Sequence, residues 1–311
     1  MEQIIGHADI LTAFDRLIST DRLGHAYLLV GSEGVGKATV ATWIAARLLC
    51  AASGQRPCGR CDACMAIERR IHPDVYTLRA GGTAIGIDAV REWTTALSRT
   101  SLFAGWKIGI VEGAEELTEA AANACLKAIE EPTPRTLILL TAPSRRQVIA
   151  TIASRCALVA CRRVPRTDLE SALCEHGAAS TEARAIAETA DGCPGIAMTL
   201  LRDVELRTSA ENVVKTARAA MSGSWTERLR RVDALLRDRT SDRSAMEQSA
   251  RKLIDAFRCL GRQQLRTTNS ATPEFSRWME LLARAPDHLA ANVSPRLLIE
   301  TIAVTYPTEN F

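Results

Sequence analysis

The chain has 311 residues, of which 47% are hydrophobic and 24% are charged, as in ordinary folded domains, and its length is enough for about two or three of them. The net charge is only +3, which gives no electrostatic case for a dedicated nucleic-acid-binding protein. No apolar run approaches the ~20 residues that span a bilayer, and the first residues hold no apolar block ending in a cleavage site. We therefore expect a cytoplasmic protein.

A glycine loop follows the first predicted strand. Residues 26–30, AYLLV, are an apolar run that predicts a buried strand, and apolar positions recur at helical spacing after the loop. Between them, Gly31, Gly36 and Lys37 match the Walker A pattern G-x-x-x-x-G-K-[ST], with Gly34 between the two glycines. Strand, glycine loop and helix form the arrangement in which backbone amides and a lysine cradle nucleotide phosphates.

The loop lacks one part of a nucleotide-hydrolysing site. Ala38 occupies the position whose Ser or Thr hydroxyl would hold Mg²⁺. Thr39 is no substitute, because one residue along a helix turns the side chain by about 100°. The loop therefore leaves ATP binding open but argues against ATP hydrolysis.

The cysteines crowd into one short segment. Four of the ten lie in the arrangement C-x7-C-x2-C-x2-C, at Cys50, Cys58, Cys61 and Cys64. In a cytoplasmic chain a disulfide framework is not expected, and four thiolates can close a tetrahedral shell around Zn²⁺. Four free thiols are the plain alternative. An iron–sulfur cluster would require a further cysteine before a proline where Glu68 stands, so the spacing predicts a closed, structural zinc site.

A second motif that ATP hydrolysis requires is altered in the next predicted strand, residues 107–113, KIGIVEG. It ends in Glu112 and Gly113 instead of the Asp and Glu of a Walker B motif, which hold the metal and polarise the attacking water. Glu115 and Glu116 follow, but they are shifted past the expected place.

Strands and helices alternate through this part of the chain. TEAAANACLKAIEEP, residues 118–132, predicts a helix that ends at a proline, and TLILLTA, residues 136–142, predicts another buried strand. This order predicts a parallel sheet with helices on both faces.

The later part of the sequence is helical in pattern. Thr167 and Glu170 have the spacing of a capping box, and from about residue 206 onward there is no convincing strand. Ser294 as N-cap and Pro295 in the first turn predict the start of a last helix.

Several motifs occur in a fixed order: GSEGVGKAT, CGRCDAC, HPDV, EAAANACLKAIEEPTPRTLILLTA and SRC. Together they resemble bacterial clamp-loader subunits of the AAA+ class, and most closely the delta-prime family of DNA polymerase III. The resemblance is strong over residues 3 to 165 and weaker beyond. It implies an α/β AAA+ P-loop domain with a parallel sheet over 1–163, which includes a zinc-binding insertion at 50–64. A small helical lid domain over 164–205 and an all-helical collar domain over 206–311 would follow.

The resemblance also implies roles for single residues. Arg155, in the SRC motif, matches the family's arginine finger, which completes the ATP site of the neighbouring subunit. Gly195 stands where the family's active ATPases carry an arginine that senses the γ-phosphate. With Ala38 and Glu112 already altered, the resemblance predicts a subunit that has lost hydrolysis and kept its finger.

The function implied is that of a non-motor, stator subunit of the DNA polymerase III clamp loader. Its partners would be motor subunits of the gamma/tau type and a delta-type subunit in a hetero-oligomer, with the sliding clamp and primed DNA reached through the assembly. One alternative is a motor-type clamp-loader ATPase that uses Lys37 and Glu112. A second alternative is a zinc-dependent nucleic-acid-binding module.

Overall fold

The computed structural model describes residues 4–82, 84–102, 105–237, 243–268 and 272–307. The chain divides into two compact units, Met1–Met198 and Thr199–Phe311. The predicted division at 163/164 and 205/206 is finer than this and stays a prediction. Among the described residues, no helix combines the length and apolar character needed to cross a bilayer.

The first unit is built on a five-stranded sheet, in the spatial order β2-β3-β4-β1-β5, and all of its strand pairs are parallel. The strands are β1 (Ala26–Val30), β2 (Val75–Arg79), β3 (Lys107–Glu112), β4 (Thr136–Ala142) and β5 (Ala157–Ala160). β1 and β4 are almost wholly buried, as expected for parallel strands covered on both faces.

Helices cover both faces of this sheet, as the alternation of elements predicts. Leu28 and Ile138 join one core cluster and their chain neighbours Leu29 and Leu139 join the other, because successive strand residues point to opposite faces. The helices of the unit are α1 (Ala8–Ser19), α2 (Lys37–Leu49), α3 (Asp62–Glu68), α4 (Ile87–Ser98), α5 (Glu119–Glu130), α6 (Ala150–Ala153), α7 (Arg166–Glu175) and α8 (Ser180–Ala190), while α9 (Pro194–Arg202) contains the unit boundary.

The start of α7 corrects one sequence prediction. Thr167 is not the N-cap: Pro165 holds that position, and the helix begins at Arg166 without a side-chain cap. The carboxylate of Glu170 accepts a hydrogen bond of 2.6 Å from Nε of Arg166, which engages it in an i,i+4 pair. It does not reach back to the helix start as a capping box requires.

The second unit consists of helices and the turns between them, with no strand among its described residues. It contains α10 (Val204–Ala220), α11 (Trp225–Arg237), α12 (Arg243–Thr268), α13 (Pro273–Ala290) and α14 (Pro295–Thr305). Trp278 lies in its core and donates an indole hydrogen bond of 2.8 Å to the carbonyl oxygen of Ile302. Ser294 accepts from the amide of Leu297 at the start of α14, which confirms the predicted cap.

Candidate functional site

The four clustered cysteines come together in space. Cys50 ends α2, Cys61 precedes α3 and Cys64 lies within α3, while Gly59 adopts a φ of 71° in the turn between them, a conformation that favours glycine. All four sulfur atoms lie within 4.8 Å of one another. The segment therefore folds into a single thiol cluster.

The geometry of this cluster fits a tetrahedral metal. The Sγ atoms of Cys61 and Cys50 are 3.9 Å apart, close to the ~3.8 Å expected between two ligands at the usual zinc–sulfur distance. Backbone amides of Arg60 and Cys61 lower the pKa of the Cys58 thiol to about 6, whereas burial raises the pKa of Cys64 to about 12. These four residues could hold a metal ion with no position left open for substrate.

The glycine loop links β1 to α2 as the Walker A pattern predicts. Gly34 and Gly36 have φ values of 70° and 106°, which residues with a Cβ rarely adopt. A Cβ on Gly31 would lie 2.3 Å from the carbonyl oxygen of Cys161. The backbone conformation of the loop and its close contacts therefore require glycine at these positions.

The lysine of the loop is engaged by the loop itself. Nζ of Lys37 donates hydrogen bonds to the carbonyl oxygens of Gly31 at 2.7 Å and Ser32 at 3.0 Å. Burial lowers the pKa of Lys37, and the carboxyl of Glu115 is the largest opposing influence on it. Two of the three ammonium hydrogens therefore point at carbonyl oxygens of the loop itself.

The start of α9 packs against the same loop. The amide of Gly195 donates a hydrogen bond of 2.7 Å to the carbonyl oxygen of Gly34. A Cβ on Gly34 would lie 2.5 Å from Cγ1 of Ile196, and one on Gly195 would lie 3.0 Å from the Gly34 oxygen. The position assigned to a phosphate-sensing arginine thus holds a glycine that allows close backbone contact with the loop.

The carboxylate at the end of β3 is held by two arginines. Glu112 accepts from Nη1 of Arg70 at 2.9 Å and from Nη2 of Arg79 at 2.8 Å, and its side chain is 11% exposed. Arg79 lies opposite Glu112 in the register of β2 and β3. Glu112 therefore ties the edge strand β2 and the end of the α3 segment to β3.

Glu115 is the acidic residue with the largest electrostatic influence on the lysine of the loop. Its Oε2 atom is buried without a hydrogen-bond partner among the described residues, and burial raises the pKa of its carboxyl. This carboxyl and that of Glu33 both raise the pKa of Lys37. The carboxyls of Glu33 and Glu115 thus both act electrostatically on the lysine of the loop.

Arg155 lies in the turn between α6 and β5. Its Nε forms an ion pair with Oε1 of Glu130 at the end of α5, and its Nη1 donates to the carbonyl oxygen of Thr151 at 3.0 Å. The side chain of Arg155 remains 41% exposed. Glu130 was not predicted as a site residue, although two consecutive acids at the C-terminal end of a helix, which oppose the helix dipole, were a signal for it.

Arg155 and the phosphate loop lie at opposite ends of the sheet. β1 and β5 are parallel, with Tyr27 opposite Ala157, and the loop begins at Gly31, beyond the last residue of β1. The start of β5 and Gly31 are therefore four residues apart, or ~13 Å along the strand direction. Arg155 precedes β5, so it is still farther from the loop of its own chain.

Comparisons with known proteins agree on one family. The model of a family described as DNA polymerase III, delta subunit, matches residues 6–165, just over half of the chain. The DNA polymerase III subunit delta′ of Haemophilus influenzae is 41% identical over 133 residues, which cover 42% of this chain and 41% of the relative. That of Escherichia coli is 32% identical over 219 residues, which cover 68% and 66%.

A subunit with a different name is also similar. The DNA polymerase III subunit gamma of Buchnera aphidicola is 30% identical over 154 residues, which cover 49% of this chain and 42% of the relative. The chain thus spans less than two thirds of the length of each of these three curated relatives. The resemblance to the delta-prime family is confirmed by the family model and by the delta′ relatives, and the chain belongs to the DNA polymerase III delta-subunit family.

Proposed function

We propose that this chain is a non-motor subunit of a clamp loader, which supplies Arg155 in trans to the ATP site of a neighbouring motor subunit. The neighbour would be of the gamma/tau type, and a delta-type subunit would complete the hetero-oligomer. ATP turnover by that assembly would load a sliding clamp onto primed DNA during replication. In this role the residues 164–205 and 206–311 serve as a lid and an oligomerising collar.

The observation that carries the proposal is the position of Arg155. It lies at the end of the sheet opposite its own phosphate loop, so an action on phosphate requires the nucleotide of another chain. A guanidinium can neutralise the charge that develops on a transferring phosphoryl group. Its partial exposure keeps it accessible to such a partner.

The contacts of the loop support a subunit without ATPase activity of its own. Lys37 donates hydrogen bonds to two carbonyl oxygens of the loop, and Glu112 pairs with Arg70 and Arg79. A motor-type ATPase would need both groups for phosphate and Mg²⁺. Ala38 removes the third group.

We propose that the cysteine cluster holds one structural Zn²⁺ ion. The zinc would fix the segment between α2 and α3 by replacing weak thiol contacts with four metal–thiolate bonds, as in other closed thiolate sites. The alternative of a zinc-dependent nucleic-acid module predicts tight DNA binding by the purified chain that weakens steeply with salt. The net charge of +3 favours weak binding instead.

ATP turnover by the purified chain with Mg²⁺ tests the proposal, with Lys37→Ala as the matched control. We expect no turnover above that of the Lys37→Ala variant. Turnover that disappears with Lys37 would identify a motor and overturn the proposal.

A further inference from the structure

Glu130 holds one edge of the Arg155 guanidinium. Its carboxylate engages Nε, and the carbonyl oxygen of Thr151 takes a hydrogen from Nη1. Among the described residues, Nη2 has no hydrogen-bond partner. A guanidinium carries five N–H donors in a fixed plane, so fixing the Nε side aims the remaining donors in one direction.

This pair contributes little to folding stability. Both side chains are close to half exposed, at 41% and 45%, and exposed ion pairs of this kind stabilise a protein by about 0–1 kcal/mol. Glu130 also lies at the C-terminal end of α5, where a negative charge opposes the helix dipole. Its position is therefore better explained by what it does to Arg155 than by what it adds to the helix.

We propose that Glu130 is a positioning residue for Arg155, which orders the guanidinium before a neighbouring nucleotide arrives. This inference rests on the proposed function of Arg155. An unrestrained arginine side chain loses about 2 kcal/mol of rotamer freedom when it is fixed. If Glu130 has already fixed it, less of that loss opposes the engagement of phosphate in the transition state.

The role requires a hydrogen-bond acceptor at Oε1 and does not require the negative charge. Glu130→Gln keeps an oxygen at that place, whereas Glu130→Ala removes it. Glu131→Ala is a matched control, because Glu131 is the next residue, is also exposed and pairs with no arginine among the described residues.

The test measures ATP turnover in the reconstituted assembly. Finger-dependent turnover is the difference between the assembly with the wild-type chain and the one with Arg155→Ala. We expect Glu130→Ala to lower the kcat of finger-dependent turnover about tenfold, with KM for ATP within about twofold of the wild-type value. Glu130→Gln and Glu131→Ala should each keep this kcat within about twofold of the wild-type value. In the Arg155→Ala background, Glu130→Ala should have no further effect.

The outcomes separate the two proposals. If Arg155→Ala itself leaves turnover unchanged, the function proposed for Arg155 fails. If Arg155→Ala lowers turnover but Glu130→Ala does not, or if Glu130→Gln is as slow as Glu130→Ala, only the positioning role fails. Should Glu130→Ala not assemble, Glu130→Asp moves the carboxylate back by one methylene; a loss of about threefold supports positioning, and wild-type turnover contradicts it.

Discussion

The amide of Gly195 donates a hydrogen bond of 2.7 Å to the carbonyl oxygen of Gly34, which joins the start of α9 to the phosphate loop. Family resemblance assigns a phosphate-sensing arginine to the Gly195 position. Because glycine has no side chain, the backbone of α9 approaches the loop closely here, and a Cβ at residue 195 would lie 3.0 Å from the Gly34 oxygen. Glycine at this position thus allows a backbone contact between α9 and the loop.

The close packing of α9 against Gly34 predicts that Gly34→Ala destabilises the folded chain. The substitution places a Cβ 2.5 Å from Cγ1 of Ile196 at a φ of 70°, so we expect the free energy of unfolding to fall by about 1–3 kcal/mol. Gly54→Ala is the control, because no atom lies within 4 Å of its added Cβ. Urea unfolding measures both variants; equal stability of the two would contradict the packing described here.

Glu112→Gln separates a structural role of this carboxylate from a metal-binding one. The substitution removes the charge that pairs with Arg70 and Arg79, whose side chains are 48% and 63% exposed, so we expect a loss of about 1 kcal/mol in unfolding free energy. ATP turnover of the reconstituted assembly should stay unchanged. A drop in turnover without a loss of assembly would instead indicate that Glu112 acts on metal and nucleotide.

Glu115 predicts a pH dependence of stability. Burial raises the pKa of its carboxyl in the folded chain above the ordinary value of 4.5, so between the two pKa values the folded state holds more protons than the unfolded state. Stability contributed by this group therefore falls as pH rises through that window. Glu115→Gln should be more stable than the wild type at neutral pH.

Urea unfolding of Glu115→Gln between pH 4 and 7 checks this prediction, because a carboxyl with a raised pKa titrates in roughly this range. Glu116→Gln, at an exposed neighbouring residue, controls for the change in net charge. A Glu115→Gln variant whose stability follows the wild type across the range would show that Glu115 titrates normally.

The cysteine cluster predicts a metal-dependent segment. Elemental analysis of the folded chain should find about one zinc per chain, and Cys64→Ser should lose the metal and lower the free energy of unfolding, because Cys64 is a buried member of the cluster. Cys174→Ser, an exposed cysteine outside it, should change neither. Zinc retained at full occupancy in Cys64→Ser would remove Cys64 from the ligand set.

The sequence identified the elements that are buried on both sides. β1, β3 and β4 are near-continuous apolar runs, so their boundaries could be predicted closely. β2 and β5 were not predicted, because they lie at the edges of the sheet and keep partly exposed side chains, which obscure the pattern.

Site residues could be predicted where their contacts are local in the sequence, and not where the contacts join distant segments. The cysteine cluster was predictable because its members are close in sequence and their spacing is itself the signal. The partners of Glu112 and Arg155 were not, because Arg79 reaches Glu112 only through strand register and Glu130 reaches Arg155 only through the packing of α5 near α6. Contacts between distant segments depend on the fold and leave no local pattern.

In the proposed assembly, Arg155 acts on the nucleotide of a neighbouring subunit. The most direct measurement is ATP turnover by the reconstituted assembly, in the presence of clamp and primed DNA, with Arg155→Ala and Lys37→Ala variants of this chain. We predict that Arg155→Ala removes the share of turnover contributed by the neighbouring site while assembly is kept, and that Lys37→Ala has no effect. Unchanged turnover with Arg155→Ala, together with a loss with Lys37→Ala, would contradict the role proposed for Arg155.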